Sequence, residues 1–314
     1  MPLTMKDVDR FEAARPRLEA IAYRLLGSAS EAEDAVQETF LRWQGADVER
    51  IEVPEAWLTK VLTNLCLNHL ASARARRETY VGQWLPEPLL DRDPMLGPAD
   101  TAEQRESVSY AVLTLMERLS ASERAVYVLR EAFDYPHREI AEILGITEAA
   151  AQQIFHRAKK HLTDGKARTE IDEAAARRIV EEFLAAATSG KTEPLVRLLT
   201  ADAVSVGDGG GKVPARAKPF EGALAVARFM RGLFKPARSK RALAGGSPGI
   251  HITTANGGPA IVAVLDGRVI GIMCLEVTAE GIAAFRNQVN PDKLRRATEV
   301  WSSADHGEPL FHAF

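Results

Sequence analysis

The sequence predicts a multidomain chain in which two all-α helical domains precede an α+β domain. Three observations lead there. Apolar residues recur at helical spacing from the N-terminus to about Leu162. A stretch rich in Pro and Gly, Glu78 to Ala102, interrupts that pattern. After Asp172 the period changes, and apolar runs alternate with the turn signals Asp266-Gly267 and Glu280-Gly281. At 314 residues the chain is long enough for two or three domains, and 46% hydrophobic content is ample for their cores.

Composition narrows the function. A net charge of −3 argues against a non-specific nucleic-acid coat. Cys66 and Cys274 are too few and too far apart for a disulfide framework or a metal site, so neither a metal nor a cofactor is expected. No apolar run reaches membrane-spanning length, and MPLTMKDVDRFEAARP lacks a signal-peptide core; a cytoplasmic protein with no membrane partner is expected.

In the first domain, residues 8–26 and 30–43 read as helices broken at Gly27, with Ser30 and Glu33 as a capping box. Ala32, Ala35, Val36, Thr39, Phe40 and Trp43 form one apolar stripe; Asp34, Gln37, Glu38 and Arg42 lie opposite. Gln44–Val53 breaks the pattern and Pro54 suits a first helical position. Trp57, Leu58, Val61, Leu62, Leu65 and Leu70 then form a second stripe, with Lys60, Thr63, Asn64 and Asn68 on the other side. The spacing of Trp57 favours core packing over base stacking.

The second domain carries a helix-turn-helix, Pro136 to Leu162. Ile140, Ala141, Leu144, Ile146, Ala151 and Ile154 supply the apolar or small positions that two crossed helices need, with Gly145 in the turn. The second helix presents Thr147, Glu148, Gln152, Gln153, His156 and Arg157 to a major groove. His156, Arg157, Lys159, Lys160, His161, Lys166 and Arg168 crowd its end, where they suit phosphate contact as well as the helix dipole.

EAEDAVQETFLRW followed by PEAWLTKVLTNLCLNHL resembles region 2 of the extracytoplasmic-function sigma factors of bacterial RNA polymerase, and the helix-turn-helix resembles their region 4. The resemblance implies region 2 over 1–77, a linker over 78–102 and region 4 over 103–168. It implies that Asp34, Gln37 and Glu38 dock on the β′ clamp helices of the polymerase core, which also offers its β subunit. It implies that Gln44–Val53 captures an unstacked base of the minus-ten element, with Lys60 and Asn64 beside that pocket. Gln152, Gln153, His156, Arg157 and Lys160 are then the minus-thirty-five positions; Gln152, where many members carry Arg, favours adenine over guanine.

Three further motifs extend the resemblance. WLPEP (Trp84, Leu85, Pro86, Glu87, Pro88), DGGGK (Asp208, Gly209, Gly210, Gly211, Lys212) and NPDKL (Asn290, Pro291, Asp292, Lys293, Leu294) resemble those of the sigma subgroup with a fused SnoaL-like domain of cone-shaped α+β fold. That domain is expected over 169–294, followed by a tail over 295–314. The resemblance implies that the linker contacts the appended domain, with regulation in cis and no separate anti-sigma protein; DGGGK reads as a tight turn or an interdomain contact, and NPDKL equally as an interdomain contact or a simple turn. A tryptophan in a Pro-rich spacer fits docking rather than open solvent. DGGGK is no phosphate loop, because Val206 and Val213 stand where Gly and Ser or Thr are needed.

Within this last domain, Asp172–Thr188 and Thr192–Leu199 read as helices, Ala203–Val206 as a strand, Phe220–Leu233 as a helix, and 260–265, 269–277 and 282–289 as an antiparallel meander. Such folds also host enzymes. All five tyrosines precede residue 136, so the usual oxyanion donor is missing; His251, Asp208 and Arg286 are pocket candidates, with His251 expected in a loop, and no catalytic residue is expected. Two alternatives to a sigma factor remain at this stage: a ligand-sensing one-component DNA-binding regulator, and an enzyme fused to a DNA-binding module.

Overall fold

The structure, a computed structural model of the chain, describes residues 4–78, 80–97, 101–163 and 172–314. It divides into two compact units: Met1–Thr79 with Arg92–Ala167, and Tyr80–Asp91 with Arg168–Phe314. Lys166 and Arg168 of the expected basic cluster lie outside the described residues.

The first unit is helical. It runs α1 (Met5–Leu26), α2 (Ala29–Gly45), a 3-10 turn (Val48–Arg50), α3 (Pro54–Glu78), a 3-10 turn (Pro94–Leu96), α4 (Ala102–Val108), α5 (Tyr110–Met116), α6 (Ala121–Tyr127), a π turn (Val128–Ala132), α7 (His137–Leu144) and α8 (Glu148–Thr163). Gly27 ends α1 at φ 67°, as the break there required. The cap of α2 is not Ser30: Ser28 accepts the Glu31 amide, and Ser30 lies inside the helix. Both serines have Glu three residues on, so spacing alone did not separate them. Thr63, expected on the polar side of α3, is fully buried.

Two arginines knit the early helices to the later ones inside this unit. Arg24 Nε donates to Ser107 Oγ at 3.0 Å. Arg124 Nη1 donates to the Leu25 carbonyl at 2.9 Å, while its Nε and Nη2 reach the Met116 carbonyl at 3.1 and 2.6 Å. Burial pushes both guanidinium groups down to about 10, still charged at neutral pH. Thr59 of α3 and Tyr135 share a hydroxyl contact at 3.0 Å, and Arg17 lies 5.4 Å from the Phe133 ring and 5.2 Å from that of Tyr135.

The second unit adds α9 (Glu173–Thr188), α10 (Glu193–Arg197), β1 (Leu199–Asp208), β2 (Phe220–Glu221), α11 (Ala223–Phe234), α12 (Arg238–Ala244), β3 (Gly249–Ala255), β4 (Gly258–Leu265), β5 (Arg268–Thr278), β6 (Gly281–Gln288), a 3-10 turn (Pro291–Leu294), α13 (Arg295–Ser302) and β7 (Phe311–His312). The strand order is β2-β1-β6-β5-β4-β3-β7. β1 runs parallel to β6 and every other pair is antiparallel, so the sheet is mixed. Phe183, Met230 and Phe234 of α9 and α11 pack with Phe285, Ile261 and Met273 of the sheet to form its core.

Several sequence expectations shift here. Leu199 opens β1 rather than closing a helix, and Phe220 sits in β2, one turn before α11 begins. His251 is in β3, not a loop. Residues 295–314 are no separate tail: α13 buries Trp301, and Phe311 pairs with Ile250.

Candidate functional site

Apart from Thr63, the polar positions of α2 and α3 stay at the surface. Asp34 and Gln37 are exposed, and Glu38 is half-exposed with Arg42 Nε 3.2 Å away. The opposite face of α2 is anchored by Trp43, whose indole N–H donates to the Asp7 carbonyl at 3.1 Å. Trp57 is half-buried with its ring 5.6 Å from that of Trp43, as its place in the apolar stripe implied. Lys60 and Asn64, one turn apart on α3, are both exposed. Of the segment Gln44–Val53, Gln44 and Gly45 still belong to α2, and a 3-10 turn occupies Val48–Arg50.

The helix-turn-helix forms as its spacing requires. Gly145 has φ 67°, Ile140, Ala141 and Ala151 are buried, and Ile143 joins them; Leu144, Ile146 and Ile154 are half-buried. Thr147 Oγ1 accepts the Ala150 amide at 3.2 Å at the start of α8. Gln152, Gln153, His156, Arg157 and Lys160 are all exposed on α8. Lys159 pairs with Glu131 at 2.8 Å, and Arg157 and His161 lie 3.9 and 3.5 Å from Glu123. Burial raises the Glu123 carboxyl, but the Ser120 amide and hydroxyl, then His161 and Arg157, hold it below its usual range. The Arg157 side chain is 63% exposed, so its pairing adds little.

In the second unit WLPEP, DGGGK and NPDKL come together. Trp84 is half-buried, and Leu85, Pro86, Glu87 and Pro88 are buried. Asp208, fully buried at the end of β1, accepts from the Tyr80 hydroxyl at 2.7 Å, the Leu85 amide at 2.9 Å, the Gly210 amide at 3.0 Å and Lys293 Nζ at 2.7 Å. Lys293 Nζ also donates to the Leu85 carbonyl at 2.6 Å and lies 4.1 Å from the Trp84 ring centre. Asn290 donates to the Tyr80 hydroxyl at 2.9 Å, and Gln288 to the Pro86 carbonyl at 3.2 Å. Burial and then Asp208 push the Tyr80 phenol up, so it remains a proton donor.

The glycines of DGGGK are required by close approach. A Cβ on Gly209 would meet the Val213 carbonyl at 2.0 Å, and one on Gly210, at φ 58°, would meet the Asn290 amide at 2.3 Å. Gly211 packs on Val81, and Lys212 pairs with Asp292 at 2.6 Å. Pro291 and Asp292 are exposed while Leu294 is buried. Three partners of this cluster went unassigned in the sequence. Gln288 gives itself away only by standing at the end of a strand beside NPDKL. Tyr80 carries no motif. Asn256, which bonds Leu89 through its Oδ1 and its amide at 2.9 Å each, lies in an Asn-Gly pair that is itself a hairpin signal.

None of His251, Asp208 and Arg286 lines the cavity of about 1300 Å³ against the sheet of this unit, and Arg286 is paired with Glu276 at 2.9 Å. Among the described residues no three His, Cys, Asp or Glu side chains are placed to hold a metal, and no helix is long and apolar enough to cross a membrane.

Comparison with known proteins gives these surfaces a family. Residues 10–76 match Sigma-70 region 2, and residues 109–162 match Sigma-70, region 4. The ECF RNA polymerase sigma factor SigJ of Mycobacterium tuberculosis is 40% identical over 228 residues, which are 72% of this chain and 73% of that protein. The probable ECF RNA polymerase sigma factor SigI of the same organism is 32% identical over 194 residues, 60% of this chain and 65% of that protein. The crystal structure of the Mycobacterium tuberculosis extracytoplasmic function sigma factor SigJ aligns with a TM-score of 0.70 at 33% identity, covering 91% of this chain and 97% of that one. The helical modules, the SnoaL-like α+β domain after them and this degree of identity place the chain in one family: it belongs to the extracytoplasmic-function sigma factors of RNA polymerase.

Proposed function

We propose that the protein is an alternative sigma factor that directs core RNA polymerase to specific promoters and starts transcription there, with its C-terminal domain regulating that activity in cis. The observation that carries the first part is the pairing on one chain of a region 2 surface with an exposed region 4 recognition helix. Asp34, Gln37 and Glu38 meet the β′ clamp helices; Lys60 and Asn64 serve the minus-ten strand; Gln152, Gln153, His156, Arg157 and Lys160 bind the minus-thirty-five duplex. No residue in this reading carries a reaction, and no cofactor enters it.

Distance supports the regulatory part. Elements named minus-ten and minus-thirty-five lie about 25 base pairs apart, or ~85 Å of duplex at about 3.4 Å per pair. In the first unit the two modules touch, with Thr59 bonded to Tyr135 and Arg124 to Leu25. They must part before both elements are read. The chain that joins them includes residues 80–91, which the C-terminal domain holds through Asp208, Lys293 and Asn256. A few kcal/mol of difference in that hold suffices to shift the population between closed and open forms. This route needs no separate anti-sigma protein.

Transcription in vitro with purified core polymerase and the full chain tests the proposal. Promoter-specific transcripts are expected, with output changed at least several-fold by Trp84→Ala. Operator binding without polymerase recruitment would instead establish a one-component regulator.

A further inference from the structure

One long stretch of the C-terminal domain has no acidic residue. From Gly222 to Leu265 the sequence carries Arg228, Arg231, Lys235, Arg238, Lys240 and Arg241, and neither Asp nor Glu. The whole chain has a net charge of −3, so these cations stand against an acidic remainder.

The fold gathers them into one strip. α11 turns Val226, Ala227, Met230 and Phe234 into the core of the domain. Leu224, Arg228, Arg231 and Lys235 are exposed on its other side. At about 100° per residue these four fall within roughly 60° of one another around the axis, along ~17 Å of helix. Lys240 folds α12 back onto the end of α11. Its Nζ donates to the Leu233 and Lys235 carbonyls at 3.2 and 2.6 Å, and to that of Gly232. Arg238, Arg241 and Leu243, all exposed, therefore stand at the Lys235 end of the strip. Burial and then Lys235 hold the Lys240 ammonium below its ordinary value, as crowding of like charges requires.

Most of this charge is not neutralised within the fold. Arg231 donates to Thr192 Oγ1 at 2.9 Å, and exposed Glu193 borders the strip there. Among the described residues, none of Arg228, Arg231, Lys235, Arg238 and Arg241 forms an ion pair with a carboxylate. Such a row suits an extended surface of repeated phosphates.

Two leucines decide which surface. Leu224 is 50% exposed and Leu243 is 68% exposed. A duplex backbone gains nothing from an exposed leucine, whereas the boundary between lipid headgroups and acyl chains takes one up. Clustered cations and apolar side chains are together the two signals that hold a peripheral protein on an anionic bilayer. No described helix is long and apolar enough to cross a membrane, so such an attachment is peripheral and reversible.

We propose that α11 and α12 form a docking surface for an anionic lipid bilayer, with Arg228, Arg231, Lys235, Arg238 and Arg241 on the headgroups and Leu224 and Leu243 at the acyl boundary. The strip shares no residue with α2, α3 or α8, and the proposal does not rest on the sigma-factor reading.

The full chain is mixed with sucrose-loaded vesicles of phosphatidylcholine, with or without phosphatidylglycerol, and the bound fraction is read by sedimentation. Binding is expected only to vesicles that contain phosphatidylglycerol, and it weakens at least about tenfold between about 0.05 and 0.3 M salt. The Arg238→Glu, Arg241→Glu double variant is expected to bind at least about tenfold more weakly. Leu243→Ser is expected to bind about threefold more weakly or worse, with the same salt dependence. Circular dichroism identifies a variant that has not folded, and Arg228→Gln, Lys235→Gln then decides in place of the double variant. Absence of binding to the anionic vesicles, or unchanged affinity in a folded charge variant, overturns the surface. Unchanged vesicle affinity in Leu243→Ser overturns the choice of lipid. The same proteins are titrated onto a duplex of random sequence by fluorescence anisotropy. Loss of duplex affinity in the charge variant with vesicle affinity intact assigns the strip to nucleic acid and overturns the proposal. No readout uses polymerase, so a failure here is distinct from a failure of the sigma-factor assignment.

Discussion

Lys293 Nζ sits 2.7 Å from Asp208 Oδ2 with both side chains buried, one in the turn after β6 and the other at the end of β1. Between them they bond both the amide and the carbonyl of Leu85. Removing one member leaves the other charge without its counterion in a dry site. Lys293→Met is expected to cost about 3–5 kcal/mol. The Asp208→Leu, Lys293→Met double variant is expected to cost less than the sum of its two single variants. Urea unfolding of the full chain measures both.

Two glycines, Gly190 after α9 and Gly209 in DGGGK, resist a methyl group for different reasons. Gly190→Ala meets open space at φ 75° and is expected to lose about 1–2 kcal/mol from backbone strain. Gly209→Ala drives a methyl into the Val213 carbonyl, forcing a backbone shift worth about 1–3 kcal/mol, and loosens the turn that carries Lys212. Faster proteolysis within residues 80–90 in Gly209→Ala, but not in Gly190→Ala, is the distinguishing result.

Arg124 is the joint of the helical unit. Arg124→Met keeps most of the packed volume but leaves the Leu25 and Met116 carbonyls without this donor. A loss of about 2–4 kcal/mol is expected, read as a lower melting temperature of the helical unit.

His251 is expected to make the C-terminal domain sensitive to acid. Burial first, then His306 and His312, hold its imidazole below the ordinary 6.5, against a weaker opposite pull from Glu308. The unfolded chain therefore takes up that proton first as pH falls. The contribution of His251 is complete above pH 6.5 and disappears as pH drops through the lower folded value. Melting temperature is expected to fall between pH 7 and pH 5, with a shallower fall in His251→Gln. Identical slopes would remove His251 as the cause.

On the recognition helix, two substitutions separate positioning from reading. Arg157→Ala is expected to weaken promoter binding evenly across sequences and to reduce the salt slope by about one. Gln152→Ala is expected to relax preference at one base pair of the minus-thirty-five element by about 1–3 kcal/mol. Binding titrations at several salt concentrations resolve the two.

Much of this architecture was legible because its signals are local. Gly145 between two apolar stripes, Pro54 at a helix start, and Asp266-Gly267 between two apolar runs each specify their own conformation. What escaped depends on partners distant in the chain. β3 carries half-buried His251 and Thr253 and follows Gly245, Gly246 and Pro248, so it lacks a clean alternation; register with β4 makes it a strand. β7 is two residues long and exists only because Ile250 offers an edge to Phe311. At the linker, WLPEP announced that Trp84 docks, but the convergence of Asp208, Gln288 and Lys293 on Tyr80, Leu85 and Pro86 follows from the parallel pairing of β1 and β6, which no local pattern encodes.

One boundary between the two units falls inside the linker, between Asp91 and Arg92, where Arg92 turns the chain with φ 70°. The C-terminal domain is thus assembled from two separate pieces of polypeptide, and the earlier piece is made before region 4. A ribosome that has only reached residue 168 has already released Leu85, Leu89 and Leu90 with nothing to cover them, since the sheet that buries them comes last. Truncating the gene after region 4 leaves the same greasy strip bare, so a shortened protein should aggregate more readily than its parent even while each helical module remains intact.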